Sequence, residues 1–389
     1  MSVAVVKFRR GCASLGEAIQ LCEGFGRLNS NDSVLIKPNI VTGGRPKTPR
    51  RGVVTSTELM EELFILLKDH GCKNISMAEG SLIIPDLKAD TQSALDWSGL
   101  GQLTKRYGVK FVDMNKGEFK SFEFRGHKIR LSAAPFEADF FIDFPVLKTH
   151  AQAMVSLGIK NLKGCLHPQS KKDFHRFGLN ELLSDLARTL KPDLVLIDGI
   201  YGLQKGPLGS DTHPMNVVVA GTDPLEVDVI GTSLMGIDPQ SVRYLAMIAE
   251  GQGKKADLQK IEIRGETIEG LMKHLEWRYP WIDELIEKYG VKGLRIDDPG
   301  DIYCSGCSVT VFMALRGFLK QNAGRTFDNV EICFGPIKAH DSSKHVFLLG
   351  KCPIEKNKHL KKAHKIGGCP VLAAKTLGWL NSKLKDMQV

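Results

Sequence analysis

Four thiols near the C-terminal end carry the clearest chemistry in this sequence. Cys304-Ser305-Gly306-Cys307 is followed by Lys351-Cys352-Pro353 and by Gly367-Gly368-Cys369-Pro370. A Cys-x2-Cys spacing lets two sulfurs from one tight turn reach the same metal or cluster edge, and only a deprotonated, accessible thiolate ligates. Cys352 and Cys369 each precede a proline, which has no N–H and halts regular structure, as in the Cys-Pro step that closes bacterial ferredoxin motifs. A [4Fe-4S] cluster on Cys304, Cys307, Cys352 and Cys369 is the first reading. Zinc is the direct rival, although structural zinc sites usually bring two close pairs of ligands, whereas here a basic stretch with His359 and His364 separates the last two thiols. Unliganded or redox-active thiols are the third reading. Cys333 is a reserve ligand, read first as a small core residue.

A second patch lies mid-chain. Lys148 and His150 in Val146-Leu147-Lys148-Thr149-His150 are followed by Lys160, Asn161 and Lys163 in Gly158-Ile159-Lys160-Asn161-Leu162-Lys163-Gly164. The bland reading is a solvated basic loop. The functional reading takes Gly158 and Gly164 as points where backbone approaches an anion, and a buried lysine as a group whose pKa shifts readily toward acid–base work. Lys148, His150 and Lys160 are then the catalytic candidates. Lys37, Asn39, Glu79, Asn161 and Lys163 are the candidates for holding substrate.

The elements around these patches read as repeated strand, loop and helix units. Residues 2–8, 33–39, 74–78, 139–145, 192–199 and 215–220 are short apolar runs of the buried-strand kind. Amphipathic helices are expected over 15–28, 57–70 and 177–190, with Thr55-Ser56-Thr57-Glu58 and Asp223-Pro224 as helix-start signals. Phe119–Phe124 and His127–Leu131 form an expected hairpin around Arg125-Gly126. Such alternation implies an α/β fold with a doubly wound, mostly parallel sheet whose ligands bind beyond the strands' carboxyl ends, so the loops at 37–54 and 79–86 should share one rim. At 389 residues two domains are the natural expectation. The boundaries are 1–273, divisible into lobes of about 1–150 and 151–273, and a smaller C-terminal α/β iron–sulfur domain over 297–389 with helix 308–320, strands 329–335 and 345–350, and a basic helix 355–365.

Composition narrows the partners. A formal net charge of +9 permits nucleic acid, an acidic protein or an anionic small molecule. Low aromatic content and the absence of any helix-turn-helix, zinc-finger or ribonucleoprotein-type motif disfavour nucleic acid. The lysines from Lys351 to Lys365 are read as a solvated face or a docking face for an acidic redox partner such as ferredoxin or flavodoxin. A homo-oligomer is compatible with the sequence. No apolar run reaches membrane-span length and no signal-peptide layout opens the chain, so a cytoplasmic protein with reduced thiols is expected. There is no G-x-G-x-x-G after the first strand, no P-loop, no H-E-x-x-H and no G-x-S-x-G, which disfavours classical dehydrogenases, nucleotide kinases, zincins and serine hydrolases.

Taken as an ordered set, Val34-Leu35-Ile36-Lys37-Pro38-Asn39, Met77-Ala78-Glu79-Gly80-Ser81, Phe144-Pro145-Val146-Leu147-Lys148-Thr149-His150, Gly158 to Gly164, Val195-Leu196-Ile197-Asp198-Gly199 and Ala220-Gly221-Thr222-Asp223-Pro224 resemble the domain of unknown function 362 family over roughly residues 1–265. The resemblance implies an iron–sulfur protein, commonly with a ferredoxin-like extension. This chain departs from that pattern, because its C-terminal cysteines do not follow C-x2-C-x2-C-x3-C-P. A fainter similarity of layout is to lactate racemase-type proteins, with two α/β lobes holding a cofactor between His and Lys residues. The expected function is an iron–sulfur reductase or lyase acting on a small anionic substrate in a basic cleft beside the cluster. The alternatives are a non-catalytic electron-transfer or cluster-assembly protein, and a lactate racemase-like isomerase or zinc-stabilised binding protein.

Overall fold

The computed structural model describes residues 2–11, 13–43, 51–84, 88–278, 281–299 and 305–387. The chain divides into two compact units, residues 1–174 with 180–277 and residues 175–179 with 278–389. The fold is mixed α/β with mostly parallel sheets.

The strands of the first unit are β1 (Ser2–Lys7), β2 (Ser33–Pro38), β3 (Asn74–Glu79), β4 (Lys110–Asp113), β5 (Phe119–Phe124), β6 (His127–Ser132), β7 (Phe140–Phe144), β8 (Val146–His150), β9 (Met154–Ser156), β10 (Leu194–Leu203), β11 (Thr212–Gly221) and β12 (Glu262–Gly265). The main sheet runs β12-β1-β11-β10-β7-β2-β3-β4, with β8 paired to β10 and β9. Strand β11 is antiparallel to both β1 and β10, and β10-β7-β2-β3-β4 is wholly parallel. Its strands are apolar on both faces because helices cover both sides, and Val34, Ile36, Phe140, Ile142, Leu194 and Leu196 share one core with the helix Thr57–Asp69. From β2 the chain winds outward through β3 and β4, then returns to the other side of β2 as β7. That reversal is a topological switch point, the position at which open α/β sheets bind ligands.

Local signals act as their chemistry dictates. The Ser56 side chain accepts from the Leu59 N–H to start the helix Thr57–Asp69, and Asp223 accepts from the Leu225 and Glu226 N–H groups ahead of Pro224. The expected hairpin is β5 paired with β6. Three expectations change. The first helix spans Ser14–Leu21 rather than 15–28, because Glu23 turns into the left-handed region at φ 55. The helix expected at 177–190 starts instead at Leu179 and ends at Thr189, because Gly178 at φ 113 separates it from a preceding helix, Pro168–Phe177. Lys148 and His150 lie on a strand rather than a loop, because after Pro145 the chain pairs afresh as β8, with Val146 opposite Asp198.

The second unit is a four-stranded parallel sheet, β13 (Lys292–Arg295), β14 (Thr326–Phe334), β15 (His345–Leu349) and β16 (His364–Ile366), in that order. Its core joins Val330, Ile332, Phe347 and Leu349 to Val311, Leu315 and Phe318 of the helix Ser305–Gln321 and to Leu380 of the helix Ala373–Leu384. The basic helix expected at 355–365 is instead the short helix Lys351–Lys356, followed by turns and β16.

Candidate active site and thiol rim

The mid-chain candidates converge on the switch point. Lys37 near the end of β2 and Asp143 near the end of β7 are register partners, and Glu79 ends the next strand, β3. The loops leaving β2 and β3 share a rim, since the Ile40 N–H donates to Glu79 Oε2 at 2.9 Å and the Leu82 N–H to Val41 O at 2.8 Å. Residues 44–50 and 85–87 of those loops lie outside the described residues.

A continuous buried network links five of the eight candidates. The Lys37 ammonium donates to Pro38 O at 2.9 Å, Glu79 Oε2 at 3.1 Å and Asn161 Oδ1 at 3.2 Å. Those three bonds use all three of its N–H groups. Asn161 Oδ1 also accepts from Asn39 Nδ2 at 2.8 Å, and Asn161 Nδ2 donates to Asp143 Oδ1 at 2.8 Å. The Lys148 ammonium donates to Asn39 Oδ1 and to Val53 O. Lys37 and Glu79 are thus an internal ion pair that holds the frame, with their polar atoms committed to one another and to the backbone.

Lys160 differs from its neighbours. It sits on the short helix Gly158–Asn161 and is 9% exposed. Among the described residues its amine has no hydrogen-bond or ion-pair partner. Burial first, and then the charges of Lys163 and Lys148, push its pKa well below the ordinary lysine range. Burial brings Lys148 down to about 7 against a raising influence from Glu79. Lys163 lies 5.8 Å from the Phe174 ring centre. His150 is fully buried, and its Nδ1 accepts from the Gln152 and Ala153 N–H groups at 3.1 and 3.2 Å. Two donors at Nδ1 fix the neutral tautomer with the proton on Nε2.

The two glycines flanking Lys160 each lie against an internal carboxylate. A Cβ at Gly164 would stand 2.2 Å from Glu79 Oε1 and 2.6 Å from Lys37 Cε, so this glycine makes room for the ion pair. A Cβ at Gly158 would stand 2.9 Å from Asp228 Oδ1.

Three acidic or basic groups here have no distinctive sequence signal. Asp228 accepts from the Gly158 and Ile159 N–H groups at 2.7 and 3.0 Å, and burial raises its pKa to about 7. Asp143 is fully buried with Oδ2 unpartnered among the described residues, and burial holds its carboxyl well above the usual range. Lys171 donates to Gly80 O and to Asn115 Oδ1, both at 2.6 Å, and burial lowers it to about 8. Asp228 comes from a helix distant in sequence and Lys171 from the helix just after Cys165, and only the fold brings the two together here.

In the second unit all four sheet strands point the same way, so the segments that leave them emerge on one rim. Cys307 opens the helix after β13, Cys352 lies in the helix Lys351–Lys356 after β15, and Cys369 follows β16. Gly350, at φ 98, turns the chain so that its N–H donates to Ile366 O at 2.9 Å and the Lys351 N–H to Gly368 O at 3.0 Å. The backbones beside Cys352 and Cys369 are therefore joined. Both thiols are exposed and Cys307 is half-buried, while Cys304 lies outside the described residues. Cys307, Cys352 and Cys369 do not draw their sulfurs within 4.8 Å of one another as a set. Such spacing is not the geometry of one shared ion. Cys333 is buried beside Ala339 and Leu348, and burial pushes its thiol up.

Among the described residues one other group could hold a metal ion, namely Asp297, Glu331 and His340, whose ligand atoms lie within 4.8 Å of one another. His340 Nε2 is 2.7 Å from Asp297 Oδ2, and Glu331 accepts from the His340 N–H and from the Ser343 hydroxyl.

The first unit is thus an α/β fold with a buried polar network at its switch point. A family model described as Domain of unknown function (DUF362) matches residues 34–233, just over half of the chain, and the chain belongs to that family. The thylakoid-associated protein sll1697 of Synechocystis sp. is 29% identical over 247 residues, which is 60% of this chain and 73% of that protein. Among solved structures, the lactate racemase apoprotein from Thermoanaerobacterium thermosaccharolyticum is similar at a TM-score of 0.41 and 13% identity, covering 61% of this chain and 57% of that one. No helix among the described residues is long and apolar enough to cross a membrane.

Proposed function

We propose that the chain is an enzyme that binds a small anionic substrate over the carboxyl ends of β2, β7 and β8. The observation that carries this reading is the uncommitted, buried amine of Lys160, placed at the switch point with the positive charges of Lys148 and Lys163 acting on it. Lys163 and Lys148 supply the positive charge that attracts the anion, and the Lys160 amine, kept neutral by burial and by those charges, donates a hydrogen bond to it. Lys148, whose pKa lies at about 7, exchanges a proton near neutrality, and His150 donates through Nε2. Lys37, Asn39, Glu79 and Asn161 keep these groups in place.

In the same proposal Cys304, Cys307, Cys352 and Cys369 hold a [4Fe-4S] cluster on the second unit, and the activity is that of a reductase or lyase. The fit rests on thiols that follow three strands of one parallel sheet and on the bonded backbones beside Cys352 and Cys369. A cluster held there supplies electrons, or a Lewis-acidic iron where only three thiolates bind it. The exposed lysines of residues 351–365 then suit an acidic redox partner.

Anaerobic purification with iron, sulfide and zinc analysis and EPR tests the second half. Iron and sulfide in equal amounts, lost in Cys352→Ser and Cys369→Ser, are expected; stoichiometric zinc without sulfide overturns it. The first half is tested by thermal shift with lactate and inorganic phosphate. Stabilisation that disappears in Lys160→Met is expected, and no response to either anion removes the proposed site.

A further inference from the structure

We infer that Lys160 is a Schiff-base lysine, and that the substrate is a small carbonyl compound bearing an acidic group, such as a 2-oxo acid. This rests on the anion-binding reading above and deepens it.

The argument begins with how the neighbouring amines are used. Lys37 spends its three N–H groups on Pro38 O, Glu79 and Asn161. Lys148 is bound to Asn39 and Val53 O, and Lys171 to Gly80 O and Asn115. An amine held this way has its donors engaged and its position fixed by partners, so it serves structure or proton transfer. Lys160 is the exception, with no such partner among the described residues.

Its backbone is nevertheless fixed from both sides. Asp228 grips the Gly158 and Ile159 N–H groups before it, and the Asn161 side chain after it is tied to Lys37, Asn39 and Asp143. A pinned backbone with an unengaged amine suits a nucleophile better than a structural cation.

The electrostatics match. An amine adds to a carbonyl only through its neutral form, and burial beside other cations is the established way to make a lysine neutral at physiological pH. Among the described residues no carboxylate acts on Lys160; what does act on it is burial, Lys163 and Lys148. The same positive surroundings would hold the carboxylate of an oxo acid once the amine has become an imine.

The step balances without an outside oxidant or reductant. The Lys160 lone pair adds to the carbonyl carbon, and the carbonyl π electrons move to oxygen, which takes a proton. One of the two amine hydrogens serves as that proton, a further proton lets the oxygen leave as water, and the nitrogen, which keeps its other hydrogen, becomes the iminium. Lys148, poised near neutrality, is the nearby group that can carry those protons.

The test uses the full chain with pyruvate and sodium cyanoborohydride, followed by peptide mapping. Reduction adds hydride to carbon and leaves a secondary amine, so the labelled peptide gains the mass of pyruvate less one oxygen atom. Label concentrated on Lys160 at neutral pH is expected. Each unit of pKa depression raises the neutral fraction about tenfold, so Lys160 should exceed any exposed lysine by at least about that factor. Excess lactate, which shares the carboxylate and lacks the carbonyl, should compete. Lys160→Arg should abolish the label, and if that variant does not fold, the map of the native chain decides. Label scattered over surface lysines, with lactate still giving a thermal shift, overturns the Schiff base while the anion site stands. No shift with lactate and no label on Lys160 overturns both.

Discussion

The Lys37 ammonium and the Glu79 carboxylate stand 3.1 Å apart, with 1% and 3% of their side chains exposed. The two come from adjacent parallel strands, and Gly164 packs where any larger residue would collide with both. Taking two charges out of water is costly, and only good geometry with further hydrogen bonds offsets the cost. Here Asn161, Pro38 O and the Ile40 and Gly80 N–H groups supply those bonds.

Removing one member should therefore cost much more than removing both. Glu79→Gln leaves a buried ammonium without a counter-charge, and a loss of about 3–5 kcal/mol in urea unfolding is expected. The pair Lys37→Met with Glu79→Leu should recover most of that loss. Equal destabilisation by the single and double variants would show that the ion pair is not what the network depends on.

Gly164→Ala tests the packing of the same pair. The added methyl would lie 2.2 Å from Glu79 Oε1, and overpacking of this kind costs about 1–3 kcal/mol. A lower urea midpoint with unchanged slope is the expected result; a wild-type midpoint would mean the segment 162–165 shifts without cost.

Stability should be lowest near neutral pH. Asp228 is raised from 3.8 to about 7, so the folded state binds the proton more tightly and this contribution is lost as pH climbs between those values. Lys148 is lowered from 10.5 to about 7, so its contribution is present at alkaline pH and is lost as pH falls toward 7. Each group changes stability by at most about 1.4 kcal/mol per pH unit. Urea midpoints across this range should trace a minimum, with Asp228→Asn flattening the acid limb and Lys148→Met the alkaline limb. A maximum at neutrality in the native chain would contradict this.

Asp228→Ala leaves two buried N–H groups, those of Gly158 and Ile159, without their acceptor. A loss of about 2–4 kcal/mol is expected. Pyruvate trapping on Lys160 should also fall by about tenfold. Asp228→Asn keeps one acceptor oxygen and should restore most of the trapping. Identical trapping in all three proteins would show that Asp228 does not position Lys160.

What the sequence settled on its own was local chemistry and periodicity. Buried-strand runs ended by Pro38 and Pro145, the caps at Ser56 and Asp223, and the hairpin at Arg125-Gly126 each follow from the preferences of a few adjacent residues. The clustering of Lys148, His150, Lys160, Asn161 and Lys163 within one short stretch marked the region that the fold carries to the switch point.

Only the tertiary structure decided the roles within that region. Lys37 and Lys160 are the same residue type, yet one is consumed by Glu79 and Asn161 while the other is left unengaged, and that difference depends on strands and helices far apart along the chain. Gly158 and Gly164 admit Asp228 and the ion pair, because close approach is set by what packs opposite. Asp143, Asp228 and Lys171 carried no motif, since a pKa moved by burial is a property of the surrounding fold rather than of neighbouring residues. The alignment of thiols along one rim likewise comes from four strands running parallel, which spacing along the chain cannot encode.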